Sequence, residues 1–169
     1  MKKKPKKDKT VPVLCGVLAV ALMVMAAALV FGGKRETAAF TPPPFEPAAV
    51  AGVPEVPESL GYISPWQEGM GYRFSVCGNV VMDGSAATVY LTNPAENNVW
   101  IKLRVLDESG NLLGETGLLK PGEYVRDVAL TENLPAGTKI KLKIMGYEPE
   151  TYFSAGSAAL NTAIGGASQ

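Results

Sequence analysis

The sequence predicts an all-β ectodomain, an antiparallel β-sandwich of about seven strands, preceded by one transmembrane α-helix. Three observations predict it. An uncharged run of 21 residues follows a lysine-rich N-terminus, and a proline-rich stretch comes next. From about residue 60, short apolar runs alternate with turn signals, and no stretch there keeps helical periodicity over three turns.

The N-terminal residues 1–10, MKKKPKKDKT, carry six lysines and form a basic tail. Residues 11–31, VPVLCGVLAVALMVMAAALVF, hold no charged or strongly polar side chain, and Gly32 and Gly33 close them. At ~1.5 Å per helical residue such a run spans roughly 30 Å, the hydrocarbon thickness of a bilayer. Residues 11–33 are therefore expected to form a membrane helix. Lysines outnumber the flanking Lys34 and Arg35, which keeps the N-terminus in the cytoplasm and sends the remainder out. A cleaved signal peptide is the rival, with Ala26-Ala27-Ala28 as the cut, and would yield a secreted protein; the length of the run favours an uncleaved anchor.

Six prolines fall within residues 38–58. They cannot continue a helix and favour extended polyproline II, so residues 34–59 read as a stalk outside the membrane. Residues 60–160 read as the sandwich, and 161–169 as a flexible tail.

Within the sandwich the first run is 73–81 (RFSVCGNVV), broken at Gly78. Asp83-Gly84 turns the chain into 86–92 (AATVYLT), which Asn93-Pro94 ends. The third run, 99–106 (VWIKLRVL), is the clearest; DESGN turns it into a fourth within 112–119. Lys120-Pro121-Gly122-Glu123 turns again into 124–130 (YVRDVAL), followed by 138–147 (TKIKLKIMGY) and a seventh run within 151–160. Period-two alternation sorts each run into faces. Val99, Ile101, Leu103 and Val105 oppose Trp100, Lys102, Arg104 and Leu106; Ile140, Leu142 and Ile144 oppose Lys139, Lys141 and Lys143.

The stretch VWIKLRVLDESGNLLGETGLLKPGEYVRDVAL, with its Asp and Gly turn and its Leu-Lys-Pro-Gly corner, resembles the middle of bacterial membrane-anchored immunoglobulin-like or fibronectin-III-like surface domains. The resemblance covers roughly residues 86–147 and is one of fold pattern. It implies that the third and sixth runs pair in one sheet. Trp100, Lys102, Arg104, Lys139, Lys141 and Lys143 would then share an outer face. That face is the expected binding site, for an envelope protein or an anionic wall polymer. The antibody cysteine pair is missing: Cys15 lies in the apolar run and Cys77 is expected to be an apolar filler.

Composition narrows the chemistry. The chain of 169 residues has no histidine, which removes the commonest general base and metal ligand. Glu148 and Glu150 flank a proline in an apparent turn and do not make a glycosidase pair. DESGN lacks the ligand spacing of a calcium loop. No catalytic residue, metal or cofactor is expected. Residues 1–36 carry a net +6 and the remainder −6, which with an extracytoplasmic address argues against nucleic acid. The expected function is a non-enzymatic binding or assembly module of the cell envelope. A passive spacer, whose membrane helix makes the contacts, is the alternative.

Overall fold

A computed structural model of the chain describes residues 21, 23–25, 40–63 and 71–165. It divides into two units, Met1–Phe40 and Thr41–Gln169. In the first, residues 21 and 23–25 are helical. The expected membrane span over residues 11–33 otherwise lies outside the described residues. Among the described residues no helix is long and apolar enough to cross a membrane.

Among its described residues the second unit is all-β apart from one short 3-10 turn, Glu58–Leu60. In chain order its strands are β1 (Val50–Ala51), β2 (Tyr62–Ile63), β3 (Val76–Cys77), β4 (Val81–Asp83), β5 (Ala86–Asn93), β6 (Trp100–Leu106), β7 (Leu112–Glu115), β8 (Glu123–Ala129), β9 (Lys139–Tyr147) and β10 (Ser154–Ala163). Two four-stranded antiparallel sheets result, ordered β1-β8-β5-β4 and β10-β9-β6-β7, and β2 pairs with β3 beside them. The third and sixth sequence runs are neighbours, as β6 and β9.

The two sheets enclose one core. Ile101, Leu103 and Val105 of β6, Leu142 and Ile144 of β9, and Ala87, Val89 and Leu91 of β5 are fully buried. Each such aliphatic side chain contributes ~1.5–3 kcal/mol over its exposed state, so the alternating rows drive the sheets together. In β8 the rhythm changes. Val125 and Val128 both reach the core although they are three apart, because the β5–β8 register slips between Thr88 and Leu91. Tyr90, inside that slip, has φ 46°. At the end of β5, buried Asn93 donates to the carbonyls of Val99 and Leu119 at 2.9 and 3.0 Å, which ties two loops to the core.

Both sides of the sandwich are closed by segments that bond to the two sheets in turn. On one side, Ser75 exchanges backbone hydrogen bonds with Thr92 of β5 at 2.9 and 3.1 Å. The same segment lies along β10: Tyr72 Oη donates to Gly156 O, Thr162 Oγ1 donates to Gly78 O, and Val80 bridges Ile164. On the other side, β7 continues along β6 through Thr116, whose hydroxyl accepts from Leu103 N–H, and through Leu119, which pairs with Ile101. Against this extension lies the proline-rich segment. Leu118 N–H donates to Pro44 O and Glu46 N–H to Leu118 O, both at 2.9 Å; beyond Pro47, Val50 and Ala51 pair with β8.

The structure thus departs from the expected stalk at residues 34–59: from Pro44 onward the segment is an edge strap of the sandwich. Proline lacks only the donor. An edge strand needs donors on one side, and Pro44 takes part through its carbonyl. At the other end β10 runs to Ala163, and Ile164 is buried in the core, so the sandwich extends past residue 160. The Leu-Lys-Pro-Gly-Glu corner is a turn closed by Glu123 N–H to Lys120 O, with Gly122 at φ 82° following Pro121.

Gly117 fixes how closely the strap can dock. A Cβ there would lie 2.5 Å from Glu46 N and 2.6 Å from its Cα. Gly117→Ala is therefore expected to cost about 1–3 kcal/mol. It should also open the strap to protease within residues 41–53, before the sandwich melts. Limited proteolysis with mass mapping, alongside a melting curve, checks this; an uncut strap and unchanged Tm would show that the close approach is unimportant.

Candidate binding face

The β6–β9 register sets out the outer face of the second sheet. Trp100 stands opposite Tyr147, Lys102 opposite Met145, Arg104 opposite Lys143, and Leu106 opposite Lys141. On the far side of β9, Ser157, Ala159, Asn161 and Ala163 of β10 face Met145, Lys143, Lys141 and Lys139. All six residues expected to form the basic face therefore belong to one side of one sheet. They are not one exposed cationic stripe, however.

Three of the five cations are compensated. Glu115, at the end of β7, reaches Lys102 Nζ at 2.7 Å and Arg104 Nε at 2.9 Å. The Lys102 side chain is only 6% exposed, so it is not available to a ligand. The reason lies in its neighbours. Lys102 sits in the middle of the sheet between Met145 and the β7 edge, and its stem is covered while its ammonium meets a carboxylate. Lys139 reaches Glu108 at 3.2 Å, but both side chains are largely exposed, so the pair holds little. Among the described residues Lys141 and Lys143 have no carboxylate partner. They are flanked by the small, exposed Ser157, Ala159 and Asn161 of β10, which leaves a low shelf beside them.

Trp100 belongs to a different group from the lysines. Its ring meets Phe45 of the strap edge-on, at a centroid distance of 4.9 Å and 77°, and meets Tyr152 at 5.3 Å and 60°. Lys120 Nζ lies 4.7 Å from the centre of the Phe45 ring. Tyr152 comes from the β9–β10 turn, where Glu148 N–H donates to Phe153 O and Tyr152 N–H to Glu148 O. Glu150 and Tyr152 have φ 64° and 57°. A non-glycine residue there costs on the order of 1–3 kcal/mol and persists only where its surroundings hold it. Next to it, the Phe153 side chain is 68% exposed. Glu148 and Glu150 belong to this turn, with Thr151 Oγ1 donating to Glu148 at 3.2 Å.

Sequence reasoning missed Phe45, Tyr152 and Glu115 as parts of this face. Glu115 could have been found by continuing the hairpin register back from the DESGN turn, which sets it opposite Arg104. Among the described residues no group of three or more His, Cys, Asp or Glu is placed to hold a metal ion. Cys77 is fully buried, and burial pushes its thiol up to about 11. In a Cys15→Ser chain, Cys77 is expected to resist a disulfide reagent at pH 8 until the protein unfolds. Prompt reaction in the native state would refute that.

No family model matches the chain, and no curated protein matches it. Among solved structures, part of Ruminococcus gnavus β-glucuronidase in complex with uronic isofagomine is similar, at 20% identity and a TM-score of 0.36. That likeness covers 54% of this chain and 14% of the other.

The Glu115 cluster makes a pH-dependent prediction. Burial on its own would raise the Glu115 carboxyl; the hydrogen bonds and charges of Lys102 and Arg104 outweigh it and hold the carboxyl below its ordinary value. A depressed folded value stabilises the fold above the ordinary glutamate range, ~4.3, and the stabilisation is lost as pH falls through the folded value. Glu115→Gln should remove that contribution at neutral pH and strand the buried Lys102 ammonium. The side chain of Glu115 is 35% exposed and partly screened. The expected loss is therefore about 1–3 kcal/mol, less than the ~3–5 of a fully buried pair. In denaturant melts of both proteins from pH 7 to pH 3, the gap should narrow as pH falls below the ordinary glutamate range; a constant gap would refute the assignment.

Proposed function

We propose that this chain is a single-pass membrane protein of a bacterial envelope. Its N-terminus is cytoplasmic, residues 11–33 span the membrane, and an immunoglobulin-like sandwich outside acts as a non-enzymatic binding or assembly module. One observation carries the binding part: the outer face of β10-β9-β6-β7 joins an aromatic group, Phe45, Trp100 and Tyr152, to two lysines that have no carboxylate partner among the described residues. The apolar run and its lysine asymmetry support the address.

Confinement at the membrane raises the module's effective concentration for a partner in the same layer.

Neutralisation of Lys102 and Arg104 by Glu115 favours the rival reading, a spacer whose membrane helix makes the contacts. Surface cross-linking of intact cells carrying the full-length protein, followed by identification of the adducts, separates the two. The binding reading expects a discrete adduct that Lys141→Glu with Lys143→Glu diminishes at least tenfold. An adduct insensitive to those changes but lost when the membrane helix is replaced supports the spacer.

A further inference from the structure

We propose that the outer face of β10-β9-β6-β7 binds an anionic polysaccharide, stacking a sugar against Trp100 and Tyr152 and placing acidic groups at Lys143 and Lys141. The inference rests on the binding reading above and names its ligand class.

Three features point to this chemistry. The first is the aromatic cup. Phe45 and Tyr152 stand at 77° and 60° to Trp100, so the three rings are inclined to one another and do not form a flat stack. The C–H face of a pyranose ring suits such a surface, since it offers apolar contact with hydroxyls left at its rim. The cup is costly to build: Tyr152 is held at φ 57° against Trp100, and strain of that kind gathers at ligand clamps.

The second is the direction of the charge. Trp100 pairs with Tyr147, Arg104 with Lys143 and Leu106 with Lys141. Lys143 therefore lies four residues along the sheet from the cup and Lys141 six, or roughly 13 and 20 Å at ~3.3 Å per residue. A single small anion does not span that distance. A polymer with repeating acidic groups does, and the small residues of β10 leave its path low and open.

The third decides between a polysaccharide and an acidic peptide. Extended peptides gain much of their affinity by adding a strand to a free sheet edge. Both edges of this sheet are occupied. Pro44 and Glu46 bond to Leu118 on one side, and the 72–80 segment lies along β10 on the other. What remains is a face that offers rings and ammonium groups but no backbone ladder.

The test uses the full-length protein in detergent micelles, with polygalacturonate as ligand, methyl-esterified polygalacturonate as neutral control and poly-L-glutamate as charged peptide control. Binding is followed by calorimetry and by retention on immobilised polymer. Polygalacturonate should bind at least tenfold more tightly than either control. Tyr152→Gly removes the ring where glycine accepts the backbone, so the Tm should hold or rise while affinity falls at least tenfold. Tyr152→Asn, which also tolerates that conformation, guards against an unforeseen folding defect. Lys141→Gln with Lys143→Gln should weaken binding and flatten its salt dependence.

Equal binding of poly-L-glutamate would overturn the polysaccharide and leave the binding reading intact for an acidic protein. Affinity untouched by Tyr152→Gly would overturn the cup. No retention of polygalacturonate would overturn the inference, and the cell-surface cross-linking would then decide the binding reading independently.

Discussion

The constraint on which the molecule depends is the period of two in the central pair β6 and β9. Ile101, Leu103 and Val105, with Leu142 and Ile144, must be buried, because their removal from water is the main gain on folding. Once they point inward, Trp100, Lys102, Arg104, Lys141 and Lys143 have to point outward, and the register lines them up. The composition of the outer face is thus a geometric consequence of the core. A shift of one residue would exchange the two sets and place charges in the interior.

A sheet sandwich built this way has edges to manage. Two long strands would otherwise present unpaired backbone groups: β10 on one side and the β7 extension on the other. The chain closes both with irregular segments that touch one sheet and then the other. Each has a packing partner as well. Tyr72 and Phe74 fill the core beside β10, while Phe45 of the strap meets Trp100. Closure and core formation are accordingly the same event on the β10 side. On the strap side the link is lighter, through a few backbone bonds and one ring contact.

The parts legible in the sequence were those governed by alternation and turn chemistry. The runs at 86–92, 99–106, 124–130 and 138–147 correspond to β5, β6, β8 and β9, and Pro121-Gly122 makes the turn expected of it. The resemblance to immunoglobulin-like domains anticipated the β6–β9 pairing. What escaped was set by tertiary contacts. Proline density reads as a free stalk because local sequence cannot show that Leu118 and Gly117 offer an edge to Pro44 and Glu46. Lys102 reads as a solvent-facing cation because alternation gives its side of the sheet and not the carboxylate waiting there. Tyr152 has no sequence signal for positive φ, since nothing in Glu-Pro-Glu-Thr-Tyr-Phe requires it.

The strap makes the aromatic face depend on a lightly held segment. Phe45 is one wall of the aromatic group, and it is delivered by the segment that leads back toward the apolar run. Its hold consists of the Pro44, Glu46 and Leu118 bonds, the Glu46 carboxylate accepting from Gly117 N–H at 2.6 Å, and the short β1–β8 pairing. Net values of ~0.5–1.5 kcal/mol per hydrogen bond make this a modest total against the buried core. Trp100 and Tyr152, by contrast, are fixed by β6 and by the turn that closes β9 and β10. Two rings of the group therefore belong to the sandwich itself and the third to a strap held by a few bonds. Release of the strap therefore takes the Phe45 ring from the aromatic face before the sandwich loses a strand of its core.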